Sequence, residues 1–217
     1  MYTIGLIDDE KTELSKIRRT IKTNSNIPEE QFSFKSYDIP NIPDGAVAEL
    51  CEVVLKDIIE SQITGLIVDY KIMVSASKIK GTDILEKIKD SIEQFPIIVL
   101  TEVVSESIMP LFVDPDKVYE KNLFFRIEDE YSKTKVQHIF DNMKKYTEQR
   151  DSLIVRLDEL KEKLSKGDRA VIKDILAVER RLDRFLPVNQ MPFDWIYDEN
   201  KISKIMKMVD EIDKKLE

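Results

Sequence analysis

The sequence predicts an α/β protein, with a doubly wound five-stranded parallel sheet over residues 1–146 and an all-α extension of coiled-coil or helical-bundle type over 147–217. Three observations lead there. Short apolar runs alternate with amphipathic helical stripes through the first half of the chain, an order that implies parallel strands covered on both faces. Residues 132–166 contain no proline or glycine and carry apolar residues at heptad spacing, so one long helix of about that extent is shared between the two regions. The apolar runs also end in acids, a hydroxyl and a lysine rather than in ordinary turn residues.

In chain order, "TIGLID" (3–8) reads as a strand ending in acids, and "EKTELSKIRRTIK" follows with Leu14, Ile17 and Ile21 on one helical face. "FSFKSY" (32–37) alternates as a strand does, and "DIPNIPDG" (38–45) breaks regular structure with two prolines and a glycine. Val47, Leu50, Val54 and Ile58 form a second helical stripe. Gly65 to Val68 is apolar without alternation, as in a strand buried on both faces. Residues 69–81 read as a loop, and a helix starts at Thr82 with Ile84, Leu85, Ile88 and Ile92 inward. "FPIIVLT" (95–101) is another buried strand, a short segment over 102–112 that contains Pro110 follows, and "DKVYEK" (116–121) is the last strand.

In the extension, Ile139, Met143, Tyr146, Arg150, Leu153, Leu157, Leu160 and Leu164 recur at spacings 4-3-4-3-4-3-4. Gly167 reads as the helix stop and Asp168 as the N-cap of a second helix running to about Leu186. After the loop "PVNQMPFDW", a third helix is expected over 199–217, with Trp195 as a packing anchor. The heptad seam has two candidate partners, the same helix of a second copy or the chain's own later helices. The homodimer is the arrangement the spacing favours, with acids of the partner chain facing Arg150.

Charge and composition narrow the function. Residues 1–123 carry 14 Lys/Arg against 22 Asp/Glu, and residues 124–217 carry 20 of each. Neither part shows the basic balance of a nucleic-acid binder, and the extension has no short helix-turn-helix with a basic recognition helix, so DNA binding is disfavoured. The arginines of "ERRLDR" (179–184) are mixed with acids and read as a solvated helix face. No apolar stretch is long enough to span a bilayer. The first residues run straight into a strand pattern rather than a signal-peptide pattern, and the single cysteine, Cys51, reads as a core residue. A cytoplasmic location is the expectation. His138, beside the seam, reads as a surface position.

The stretch "GLIVDYKIM" (65–73) poses the functional question, because aspartate is a poor strand residue and is rarely buried unpaired. An acid there is either the cap of the next helix or part of a site at the sheet's carboxyl edge. Ligands of open parallel sheets bind at that edge. The strand ends supply Asp8, Asp9, Asp69, Thr101 and Lys121. Clustered carboxylates repel unless a cation sits among them, and an oxygen-only set of this size suits Mg²⁺.

On these residues, the first 146 positions resemble the receiver domain of bacterial two-component response regulators, which has a flavodoxin-like sheet. The resemblance implies a regulator rather than an enzyme. Asp69 would accept a phosphoryl group from a histidine kinase, and Asp8, Asp9, Asp69 and the backbone carbonyl of Lys71 would hold Mg²⁺. Thr101 and Lys121 would contact the phosphoryl oxygens. The helical extension would signal by contacting a target protein. Several residues depart from the family pattern. Glu102 stands where a small residue is usual, and Asn122 stands where a proline follows the lysine. Val118 stands at the aromatic switch position, with Tyr119 one place off and directed to the opposite face. These departures support an alternative, a pseudo-receiver acting as a constitutive interaction module. A phosphatase of the haloacid-dehalogenase type needs a second acid two residues after the first aspartate, and this chain has Lys71 there.

Overall fold

A computed structural model describes residues 1–40, 45–74, 77–102 and 114–186. Five strands form one all-parallel sheet: β1 (Tyr2–Ile7), β2 (Phe32–Ser36), β3 (Gly65–Asp69), β6 (Ile97–Thr101) and β7 (Val118–Glu120), in the order β2-β1-β3-β6-β7. The first three helices are α1 (Lys11–Asn24), α2 (Ala46–Ile59) and α3 (Gly81–Ser91). A short α4 (Lys121–Phe124) follows β7 directly, then the long α5 (Glu130–Ser165) and α6 (Ile172–Leu182). The α/β sheet with a helical extension is therefore the architecture of the chain.

The central strands lack alternation because both faces are covered. Leu66, Val68, Ile97, Val99 and Val118 join α2 and α3 in one apolar cluster. Ile4, Leu6, Ile67, Ile98, Leu100 and Tyr119 join α1 and α5 in the other. Val118 and Tyr119 face opposite sides, as the two-residue period of a strand requires. Cys51 is a fully buried core residue, and burial pushes its thiol up to about 11.

Residues 69–81 differ from the expected loop. Lys71–Val74 (β4) and Ser77–Lys80 (β5) form an antiparallel hairpin with Ile72 opposite Ile79. Both isoleucines are buried in the α2–α3 cluster. Lys78-Ile79-Lys80 alternates as a strand does, but Lys71-Ile72-Met73-Val74 does not, and each strand is only four residues long. The last strand is also shorter than expected, because Lys121 already opens α4. The segment 103–113, which contains Pro110, lies outside the described residues, as do the loop from 187, Trp195 and the helix expected over 199–217.

The long helix extends as the heptads predict, capped by Asp129, whose carboxylate accepts the Tyr131 N–H at 2.9 Å. Gly167 ends it at φ +95°, and Asp168 caps the next turn through the Ala170 N–H at 3.1 Å. The seam is covered inside one chain. Ile139 and Met143 pack on the sheet with α1, while Leu153, Leu157 and Leu160 share a cluster with Val171, Ile175 and Leu182 around α6. Tyr146 joins the two regions: its ring meets Phe95 edge-on and lies beside Phe185, and its hydroxyl donates to the Phe185 carbonyl at 2.7 Å. Arg150 bonds to Asp151 and to the Ser61 hydroxyl, so acids of a second copy are not needed to satisfy it. Only Leu164, at the far end, is left exposed. His138 is exposed. Among the described residues no helix is long and apolar enough to cross a membrane.

Candidate functional site at the carboxyl edge of the sheet

Strand register builds the site. Ile7 pairs with Val68, so the next residue of each strand, Asp8 and Asp69, emerges side by side at the carboxyl edge. Asp69 pairs with Leu100 and Thr101 with Glu120, which brings Thr101 and then Lys121 to the same edge. Asp8, Asp69, Thr101 and Lys121 are all buried, whereas Asp9 is exposed. Thr101, Lys121 and Asp69 line a cavity of about 140 Å³, together with Glu10, Tyr70, Lys71 and Glu102. The position expected to crowd an incoming anion, Glu102, therefore does lie on that cavity.

The Lys121 ammonium stands among three carboxylates. It donates to Asp69 Oδ1 at 2.8 Å and to Asp8 Oδ2 at 3.1 Å, and Glu13 Oε2 lies 3.3 Å away. The other oxygens are held by the main chain. Asp69 Oδ2 accepts the Lys71 N–H at 3.0 Å, and Asp8 Oδ1 accepts the Glu10 N–H at 2.8 Å. These bonds fix both carboxylates on rigid strand ends instead of leaving them as free helix caps. Glycine at position 81 lets α3 start against β3: a Cβ there would come within 2.2 Å of the Asp69 carbonyl oxygen.

The site holds more buried negative charge than one lysine offsets. Burial raises the Asp8 carboxyl to about 6, outweighing the Glu10 N–H and Lys121. Burial also raises Asp69, against the opposing pull of Lys121 and of the Lys71 N–H. For Lys121 the balance is reversed. Burial disfavours its charge, but Asp69 and Asp8 more than offset this and hold it above its ordinary range. Candidate ligand atoms of Asp8, Asp9 and Asp69 lie within 4.8 Å of one another, so the three could hold a metal ion. Hard oxygen donors short of positive charge are the donor set such an ion requires.

All the acids expected at the edge, with Thr101 and Lys121, are thus brought together. Lys71 adjoins them through its main-chain N–H. The participant missed in the sequence is Glu13, on the first turn of α1. An acid there is already explained by the helix dipole, and only its alignment with the strand ends marks it out. Burial raises its carboxyl, but contacts to Lys16 and Lys121 outweigh this and hold it below the usual range.

No family model, no curated protein and no solved structure matches this chain.

Proposed function

We propose that the chain is a response regulator whose receiver part takes a phosphoryl group on Asp69. The observation that carries this reading is the single Lys121 ammonium shared by the buried carboxylates of Asp8 and Asp69, with Asp69, Thr101 and Lys121 lining one cavity. Further support comes from the strand order, which with the hairpin set aside is 2-1-3-4-5, an order that flavodoxin-like sheets share and in which ligands bind at the switch point between the first and third strands. Asp8, Asp9 and Asp69, with the Lys71 carbonyl, would hold Mg²⁺. Bound there, Mg²⁺ would offset charge on the phosphoryl oxygens.

The chain's own residues supply the remaining roles. An Asp69 oxygen attacks phosphorus in line, forming the acyl phosphate as the P–N bond to a phosphohistidine donor breaks and the imidazole nitrogen takes up a proton. Lys121 turns from Asp69 Oδ1 to a phosphoryl oxygen, and the Thr101 hydroxyl donates to another. The donor is a histidine kinase, and α5 with α6 carries the signal to a protein target. Glu102 on the cavity adds negative charge near the entering group and slows the transfer.

A second reading, a pseudo-receiver that no longer switches, is favoured by Val118, which is buried among apolar side chains where the family's switch uses an aromatic. Thermal melting with Mg²⁺ and beryllofluoride, a phosphoryl mimic, separates the two. The phosphoacceptor reading expects a rise of several degrees over Mg²⁺ alone through ligand linkage, lost in Asp69→Asn. An unchanged curve would leave the constitutive module.

A further inference from the structure

Lys121 has three protons to donate, and three carboxylates surround it. Two of them, Asp8 and Asp69, are the residues proposed to take the cation and the phosphoryl group. The third, Glu13, belongs to neither role and comes from a different element, the first turn of α1. Its two oxygens are divided between two lysines, Oε1 to Lys16 at 2.6 Å and Oε2 to Lys121 at 3.3 Å. The Glu13 side chain is 14% exposed and that of Lys121 is 11% exposed, so their attraction is only partly screened by water.

When a cation occupies Asp8 and Asp69, two of the three partners of Lys121 are diverted, and when Asp69 carries a phosphoryl group one is; in both cases Glu13 is left unchanged. An incoming anion must then draw the ammonium away from Glu13. With Glu13 absent, nothing pulls Lys121 away from Asp8 and Asp69 before the cation arrives, and nothing competes with the anion afterwards.

We infer that Glu13 is a positioning residue for Lys121, a fixed counter-anion that competes with both the carboxylate pair and the entering phosphoryl group for the ammonium. This rests on the phosphoacceptor reading for its anion arm only. Glu13 thereby sets the two affinities of the site in opposite directions, favouring the cation and restraining the anion.

The test is a double-mutant cycle of Glu13→Gln and Lys121→Gln, with folding checked by circular dichroism. Free Mn²⁺ is measured by electron paramagnetic resonance, and beryllofluoride is titrated at saturating Mg²⁺. Glu13→Gln should weaken Mn²⁺ and tighten beryllofluoride, each by about three- to tenfold, within the range of coupling between contacting groups. In the Lys121→Gln background it should change either affinity by less than about twofold. Equal effects in both backgrounds would mean that Glu13 acts as a distant charge and would overturn the inference. If Lys121→Gln does not fold, Glu13→Asp replaces it. The shorter acid keeps the charge but withdraws from Lys121, so it should behave as Glu13→Gln does, and parent-like affinities would overturn the inference. A parent protein that binds Mn²⁺ but not beryllofluoride removes the phosphoacceptor reading and leaves the Mn²⁺ arm to decide Glu13. A parent that binds neither removes both.

Discussion

The carboxyl edge of the sheet and the hairpin of α5 and α6 solve opposite packing problems within one chain. At the edge, charged groups are buried: Asp8, Asp69 and Lys121 are tied by hydrogen bonds to each other and to the main chain. In the hairpin, charged groups stay in water, as with Arg156–Glu159 and Lys166–Glu162, and only the apolar seam is covered. Exposed pairs of that kind contribute little, about 0–1 kcal/mol each. The hairpin is therefore held by apolar burial, whereas the edge keeps charges whose burial is costly. A cost retained where apolar residues would pack as well is the physical mark of a site.

The comparison breaks first at Lys121. Lys121→Met should destabilise the fold by about 3–5 kcal/mol at pH 7, because Asp8 and Asp69 would remain buried without a counter-charge. Denaturant unfolding measures this, and added Mg²⁺ should recover part of the loss if the acids bind it. A loss near zero without added cation would mean that the edge is more open to water than its burial indicates.

Leu157→Ala addresses the other region. Leu157 is buried between α5 and α6, and truncation should cost about 2–4 kcal/mol through lost burial and a residual cavity. Because Tyr146 and Phe95 connect this seam to the sheet, unfolding should remain a single transition, with a lower midpoint and an unchanged denaturant slope. Two separate transitions would show the hairpin melting on its own. Dissociation of an oligomer at the same midpoint would mean that the seam also serves a second copy.

Much of this was legible in the residues. Asp8, Asp69, Thr101 and Lys121 could be placed because each follows an apolar strand and the strands of a parallel sheet all end at one edge. The heptad spacing located α5 to within two residues at each end. Periodicity says that a face is buried but not against what, and it did not single out Val171, Ile175 and Leu182, which lie beside the seam within the chain. The hairpin over 71–80 was hidden by its shortness. Glu13 was hidden because a helix start explains it equally well.

The smallest expected effect concerns pH, and it belongs to the buried edge. Burial holds the Asp8 carboxyl at about 6, above its ordinary value of 3.8. A group with its folded pKa raised favours the folded state fully below the unfolded pKa and loses that contribution as pH rises through the folded one. Asp8 should therefore weaken the fold as pH climbs from about 4 to 7, by on the order of 2–3 kcal/mol. Asp8→Asn removes the titration while keeping the shape. The stability of the parent minus that of Asp8→Asn should fall across this window in cation-free buffer. Saturating Mg²⁺ should flatten this curve, since a bound cation favours the carboxylate at every pH in the window. A difference that rises with pH without added cation would mean that Lys121 outweighs burial at Asp8 and that the edge carries no uncompensated charge.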